Sequence, residues 1–214
     1  MENIINLTKM SLNNLSSIIK TILIVIIVWI GIAMINQAFF TMIFGMGTYL
    51  LLMQVMAYED TYGIDNLIAE LPVSKNEYVI SRYVLGIIIS AIFMVLSVLI
   101  YYMLNSILEL NLTLGIFILI GFVTSVLAMS VIIPVILKFG INKGRMIVTI
   151  LTVLMVVLPT GIMTSIWENK EFMSKIMNVV GNIGVPFILI ISSLLILMIS
   201  IIISFRVYKS KEIK

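Results

Sequence analysis

The sequence predicts an all-α integral membrane protein, with six membrane-spanning helices in a single domain over residues 1–214 and an interfacial helix at the N-terminus. Three observations carry this. The chain is 62% hydrophobic and only 11% charged, whereas a soluble domain averages roughly a quarter charged residues. It has too few polar residues to cover a water-facing surface, and lipid removes that need. Its apolar runs reach the roughly 20 residues a helix needs to span a bilayer. Its basic residues fall unevenly between the connections.

Taken in order, residues 1–19 are amphipathic. Ile5, Leu12, Leu15 and Ile19 recur near one face, with Asn3, Lys9, Asn13, Asn14 and Ser17 elsewhere. Such a helix can lie at the membrane surface with Lys9 and Lys20 near the headgroups. A short apolar core followed by a small-x-small site, the mark of a cleaved leader, is not seen here.

Thr21 to Glu59 carries no charge before its last residue. That is too long for one span, so two are predicted, over about 20–38 and 40–57, with a tight turn at the polar pair Asn36-Gln37. Gly45 and Gly47 would let another helix approach the second span closely. Span three covers about 83–104 and a short acidic connection follows. Span four covers about 113–137, with a bend expected at Pro134. A basic connection holds Lys138, Lys143 and Arg145. Span five covers about 146–167 and is interrupted at Pro159-Thr160-Gly161. A polar connection with Phe172, Ile176 and Val179 at helical spacing leads to span six, about 185–205, and a basic tail.

With both termini cytoplasmic, Lys9, Lys20, Lys75, Arg82, Lys138, Lys143, Arg145, Arg206, Lys209, Lys211 and Lys214 lie inside, and only Lys170 and Lys175 outside. This asymmetry fits an even number of spans.

The spans carry no Asp, Glu, Lys or Arg away from their ends, and the chain has no His and no Cys. Ion-coupled transporters bury ionisable or ion-coordinating groups at mid-membrane. Intramembrane hydrolases need a nucleophile with a base, or metal ligands. The residues here argue against both, so the chain is not expected to be an enzyme. Ser90, Ser97, Thr124, Ser125, Ser130, Ser192 and Ser193 are explained by hydrogen bonds between or within helices.

Charge concentrates instead in Tyr58 to Tyr83, which holds five of the ten acidic residues: Glu59, Asp60, Asp65, Glu70 and Glu77. Residues 64–71 can form two helical turns with Ile64, Leu67, Ile68 and Leu71 on one face and Asp65, Asn66 and Glu70 on the other. Pro72 ends that helix. Ser74 and Glu77 have the spacing of a capping box, opening a helix that runs through Tyr78 and Arg82 into span three. A bundle without an energy source of its own is either passive, as a channel or an assembly scaffold, or driven by something that docks on this stretch.

The run Leu71-Pro72-Val73-Ser74-Lys75, then Tyr78, Val79, Ser81, Arg82 and Tyr83, preceded by Glu59, Asp60 and Asp65, resembles the signature of bacterial ABC-2 type permeases of the small six-span group. Lys75 stands where arginine is more usual. The six spans, amphipathic start and basic tail match that family's layout along the whole chain. The resemblance implies a type V exporter-like transmembrane domain in the bacterial plasma membrane. It implies a second permease subunit, identical or a paralogue, and a cytoplasmic ABC ATPase that itself binds ATP and Mg, so this chain needs no cofactor. It implies that the segment between spans two and three is the coupling helix. The residues expected to carry coupling are Glu59, Asp60, Asp65, Leu67, Ile68, Glu70, Leu71, Pro72 and Lys75. Short re-entrant helices are implied before span six. The chain is similar to permeases of exporters for phenol-soluble modulins and antimicrobial peptides, which implies amphipathic or hydrophobic peptide cargo. Membrane lipids are expected partners and nucleic acid is not.

Overall fold

A computed structural model describes residues 2–35, 37–108, 113–168 and 184–210. They form six helices: α1 Glu2–Ile35, α2 Gln37–Thr61, α3 Ile64–Glu70, α4 Lys75–Leu108, α5 Leu114–Glu168 and α6 Gly184–Lys209. Among the described residues, three stretches are long and apolar enough to cross a membrane: Lys75–Ser106, Leu114–Ile141 and Pro186–Lys209. The expected spans over 20–38, 40–57 and 146–167 fall on parts of α1, α2 and α5 whose side chains lie wholly or partly outside the described residues. So do most of the connection between α5 and α6 and the re-entrant helices expected there.

Two elements expected to be separate are continuous. The interfacial helix expected over residues 1–19 and the span after it form one 34-residue helix. At 1.5 Å per residue its length is about 51 Å, against roughly 30 Å of hydrocarbon, so a good part of α1 must extend past the lipid core. That extension is not free of the bundle, because Leu7, Thr8 and Ser11 are buried where α1 packs against α2 and α4. By contrast, α5 is two helices that meet at Gly140 (φ 68°, ψ 178°), in the left-handed half of φ that only glycine enters without strain. This break lies within the basic connection expected between the fourth and fifth spans. Pro134, where a bend is expected, has helical backbone torsions, and so do Pro159-Thr160-Gly161, where an interruption is expected.

Close packing uses the glycines of α2. A Cβ on Gly45 would run into Thr124 of α5, and one on Gly47 into the ring of Phe93 of α4. The main core is built from Leu52, Val55 and Met56 of α2, Leu85 and Ile89 of α4, and Met129, Ile132 and Ile133 of α5. Farther along, Tyr101 stacks on Phe117, with ring centroids 5.5 Å apart, beside Leu104.

The pairings fix the direction of each helix. Asn3 meets Glu77 and Ser11 meets Glu59, so α1 runs parallel to α4 and antiparallel to α2. Tyr83 meets Ser200 and Ser204, so α6 is antiparallel to α4. Asp60 meets Ile141. The start of α1, the end of α2, the start of α4, the break in α5 and the end of α6 therefore gather at one end of the bundle, with α3 across it.

Candidate functional site: the end of the bundle that carries α3

This end begins where α2 unwinds. Tyr62 N–H still bonds to Tyr58 O (3.1 Å), and Gly63 N–H turns back to Asp60 O (3.1 Å). Gly63 sits at φ 65°, ψ 34°, a left-handed conformation that suits glycine. The reversal lets α3 start at once. α3 ends at Glu70 because Leu71 is extended (φ −84°, ψ 151°), as a residue before proline should be. The Ser74–Glu77 capping box is present and reciprocal. Ser74 N–H donates to Glu77 Oε2 at 2.9 Å, and Glu77 N–H donates to Ser74 Oγ at 3.2 Å. Asn3 of α1 donates to the same carboxylate at 3.3 Å. Lys75 Nζ donates to Lys209 O at 3.4 Å, linking the start of α4 to the end of α6.

The apolar face expected of α3 is divided. Ile68 is buried and Ile64 is partly buried, packed against the core. Leu67 and Leu71 are 45% and 42% exposed. Glu70 and Pro72 are exposed and Lys75 is partly buried. The backbone of Asp65 is in α3, and its side chain lies outside the described residues. Ile68 thus seats the helix, while Leu67, Glu70, Leu71 and Pro72 form an outward patch of two leucines and a carboxylate.

Glu59 and Asp60 do something else. Glu59 is 2% exposed and forms an ion pair with Arg82, which is fully buried. Its other oxygen, Oε1, accepts from Ser11 Oγ at 2.6 Å. The Arg82 guanidinium carbon lies 4.4 Å from the centre of the Tyr78 ring, and Tyr78 packs on Tyr208 of α6 at 5.0 Å. Arg82 Nε and Nη2 find no hydrogen-bond partner among the described residues. A buried guanidinium is tolerable only because a carboxylate and an aromatic face meet it. Asp60 is solvent-exposed, yet its Oδ2 accepts from Ile141 N–H at 3.0 Å, just past the break at Gly140. There a helix N-terminus offers a donor that its own backbone cannot satisfy. Glu59, expected to carry coupling, thus lies buried inside this end of the bundle rather than beside the exposed leucines, and Asp60 is tied to α5.

Next to Arg82, the Tyr83 hydroxyl is within 2.6 Å of Ser200 Oγ and 2.8 Å of Ser204 Oγ, and Ser200 Oγ donates to Ser130 O at 2.7 Å. Sequence reasoning missed this buried network. Its only signal was a tyrosine at the membrane end of span three and two serines a helical turn apart in span six. A cavity of about 20 Å³ borders Glu59, Asp60, Ile64 and Tyr78. It has room for about one water, which is too little for cargo. No group of three or more metal-ligating side chains occurs among the described residues.

Residues 6–209 match the family described as ABC-2 family transporter protein. Neither the curated proteins nor the solved structures include a match. The match spans nearly the whole helical bundle together with α3 and its seat: the chain belongs to the ABC-2 family of transporter proteins and is a membrane-embedded permease component of an ABC transporter.

Proposed function

We propose that this chain is the permease subunit of an ATP-driven exporter and that α3 is where a separate cytoplasmic ATPase engages it. The observation that carries the reading is the divided face of α3. Ile68 is fixed in the bundle, while Leu67 and Leu71 flank Glu70 in the open. Exposed leucines around a carboxylate, on a short helix pinned at both ends, suit a protein cleft that buries the leucines and pairs the charge. On this reading the end bearing α3 is cytoplasmic. The basic residues around it (Lys9, Lys138, Lys143, Arg206 and Lys209) support that orientation, with six spans and both termini inside.

Two such permease subunits, identical or paralogous, would enclose the path. The walls available are apolar and hydroxyl-bearing, which suits amphipathic or hydrophobic peptides better than ions or sugars. The bacterial plasma membrane is the setting this implies.

The test is Glu70→Lys and, separately, Asp65→Lys in the permease co-expressed with its ATPase partner. The expected result is normal membrane insertion with loss of ATPase co-purification and of permease-stimulated hydrolysis. Wild-type stimulation in both variants would overturn the assignment of α3 as the docking helix.

A further inference from the structure

The last turn of α2 places two acidic side chains in succession, and they reach different helices. Glu59 bonds to Arg82 of α4 and to Ser11 of α1. Asp60 bonds to the backbone of Ile141, at the start of the second half of α5. The α2 turn continues directly through Tyr62 and Gly63 into α3. Among the described side chains of α3, Ile68 and Ile64 seat it on the core. A force on this seven-residue helix reaches the other helices through its root in α2 as well as through that seat.

We infer that Glu59 and Asp60 are positioning residues that fix the root of α3 to α1, α4 and α5 at once, so that a displacement of α3 moves those helices together. This rests on the reading of α3 as the docking helix and reassigns two acidic residues from contact with the partner to transmission. The physical ground differs between the two ties. The Glu59–Arg82 pair is buried, so separating it would leave two charges without water. The Asp60 bond satisfies an N–H that the break at Gly140 leaves open. Asp60 also lies at the junction of the two halves of α5. A displacement of α3 would therefore act on the angle between them, at the described residue of α5 whose backbone is not helical.

Two measurements test this, and the first needs no partner. The natural chain has no Cys, so spin labels can be placed singly at Leu67→Cys on α3 and Lys143→Cys beyond the break in α5, both exposed. In the full chain in lipid nanodiscs, the distance distribution between them should be narrow. Asp60→Ala should broaden it, and Asp60→Asn, whose amide oxygen still accepts from Ile141 N–H, should restore it. An equally narrow distribution in Asp60→Ala would overturn the inference.

The second measurement uses the permease–ATPase complex with unlabelled variants. Asp60→Ala and Glu59→Gln should still co-purify with the ATPase but lose permease-stimulated hydrolysis, and Asp60→Asn should keep it. Loss of co-purification along with stimulation would return both residues to the docking surface and overturn the inference. So would full stimulation in both variants. Asp60→Ala removes only a partly solvated bond, so it remains informative if Glu59→Gln fails to fold. Failure of the docking reading appears separately, as unchanged co-purification and stimulation in both Glu70→Lys and Asp65→Lys.

Discussion

Glu59 and Glu70 belong to the same acidic stretch and have the same side chain, yet they lie in opposite environments. Glu59 is sealed against Arg82, Ser11 and the Tyr78–Tyr208 pair. Glu70 stands in the open between Leu67 and Leu71. The difference comes from the helices that carry them. Glu59 ends a turn of α2 whose neighbours Val55 and Met56 are already core, so helical spacing points it inward. Glu70 ends a helix whose described core contacts are made by Ile64 and Ile68, and it lies off that face. Charge in this stretch therefore serves two ends, holding helices together and presenting a surface, and position on the helix decides which.

The largest expected effect comes from breaking the buried side of this comparison. Arg82→Met leaves the Glu59 carboxylate buried without its cation, and uncompensated buried charges cost about 3–5 kcal/mol. Thermal unfolding of the purified protein in detergent should show a large loss, with less protein reaching the membrane. The double variant Glu59→Leu with Arg82→Met should recover most of that stability, since a well-packed apolar pair can replace a buried ion pair. A single variant as stable as the parent would mean that Glu59 is not held as the structure shows.

How much of this end was legible in the sequence depends on whether a signal was local. The Ser74–Glu77 box and the stop at Pro72 were readable because both act within four residues. The glycine contacts of α2 were readable in kind, through Gly45 and Gly47, though their partners Thr124 and Phe93 were not. The continuity of α1 was not readable, because an amphipathic helix lying on a membrane and one packed along a bundle have the same periodicity. What separates them is the seat for Leu7, Thr8 and Ser11 provided by α2 and α4. The role of Glu59 was hidden for the same reason. Its partner lies across the acidic stretch on another helix, and a carboxylate next to Asp60 reads as solvated charge until Arg82 is placed. The break at Gly140 was legible in place, because it falls in the basic run from Lys138 to Arg145 expected to connect spans four and five.

A smaller effect sharpens the comparison by removing hydrogen bonds without touching charge. Tyr83 follows Arg82 on α4 and ties α6 through Ser200 and Ser204. Tyr83→Phe keeps the ring and loses the hydroxyl, which should cost about 1 kcal/mol. Ser200 retains its bond to Ser130 O, and the buried Ser204 hydroxyl, which loses Tyr83, can turn to a carbonyl one turn back in its own helix. The variant should unfold at slightly lower temperature and retain permease-stimulated hydrolysis. If it lost as much stability as Arg82→Met, hydrogen bonding rather than charge pairing would dominate this end.

The smallest stability effect is expected on the exposed side. Glu70→Lys exchanges one solvated charge for another at the end of α3, and surface substitutions of that kind change stability by about half a kcal/mol or less. A lysine in the last turn also suits the partial negative charge at the helix C-terminus, so a slight gain is as consistent as a slight loss. Its thermal unfolding in detergent should therefore overlay that of the parent, even though docking is expected to fail. The two carboxylates would then dissociate completely. Removing the partner of one would unfold the bundle end, while reversing the other would leave the fold intact and silence the transporter. A Glu70→Lys protein that unfolded well below the parent would place Glu70 in a structural contact, and the contrast between the two residues would fail.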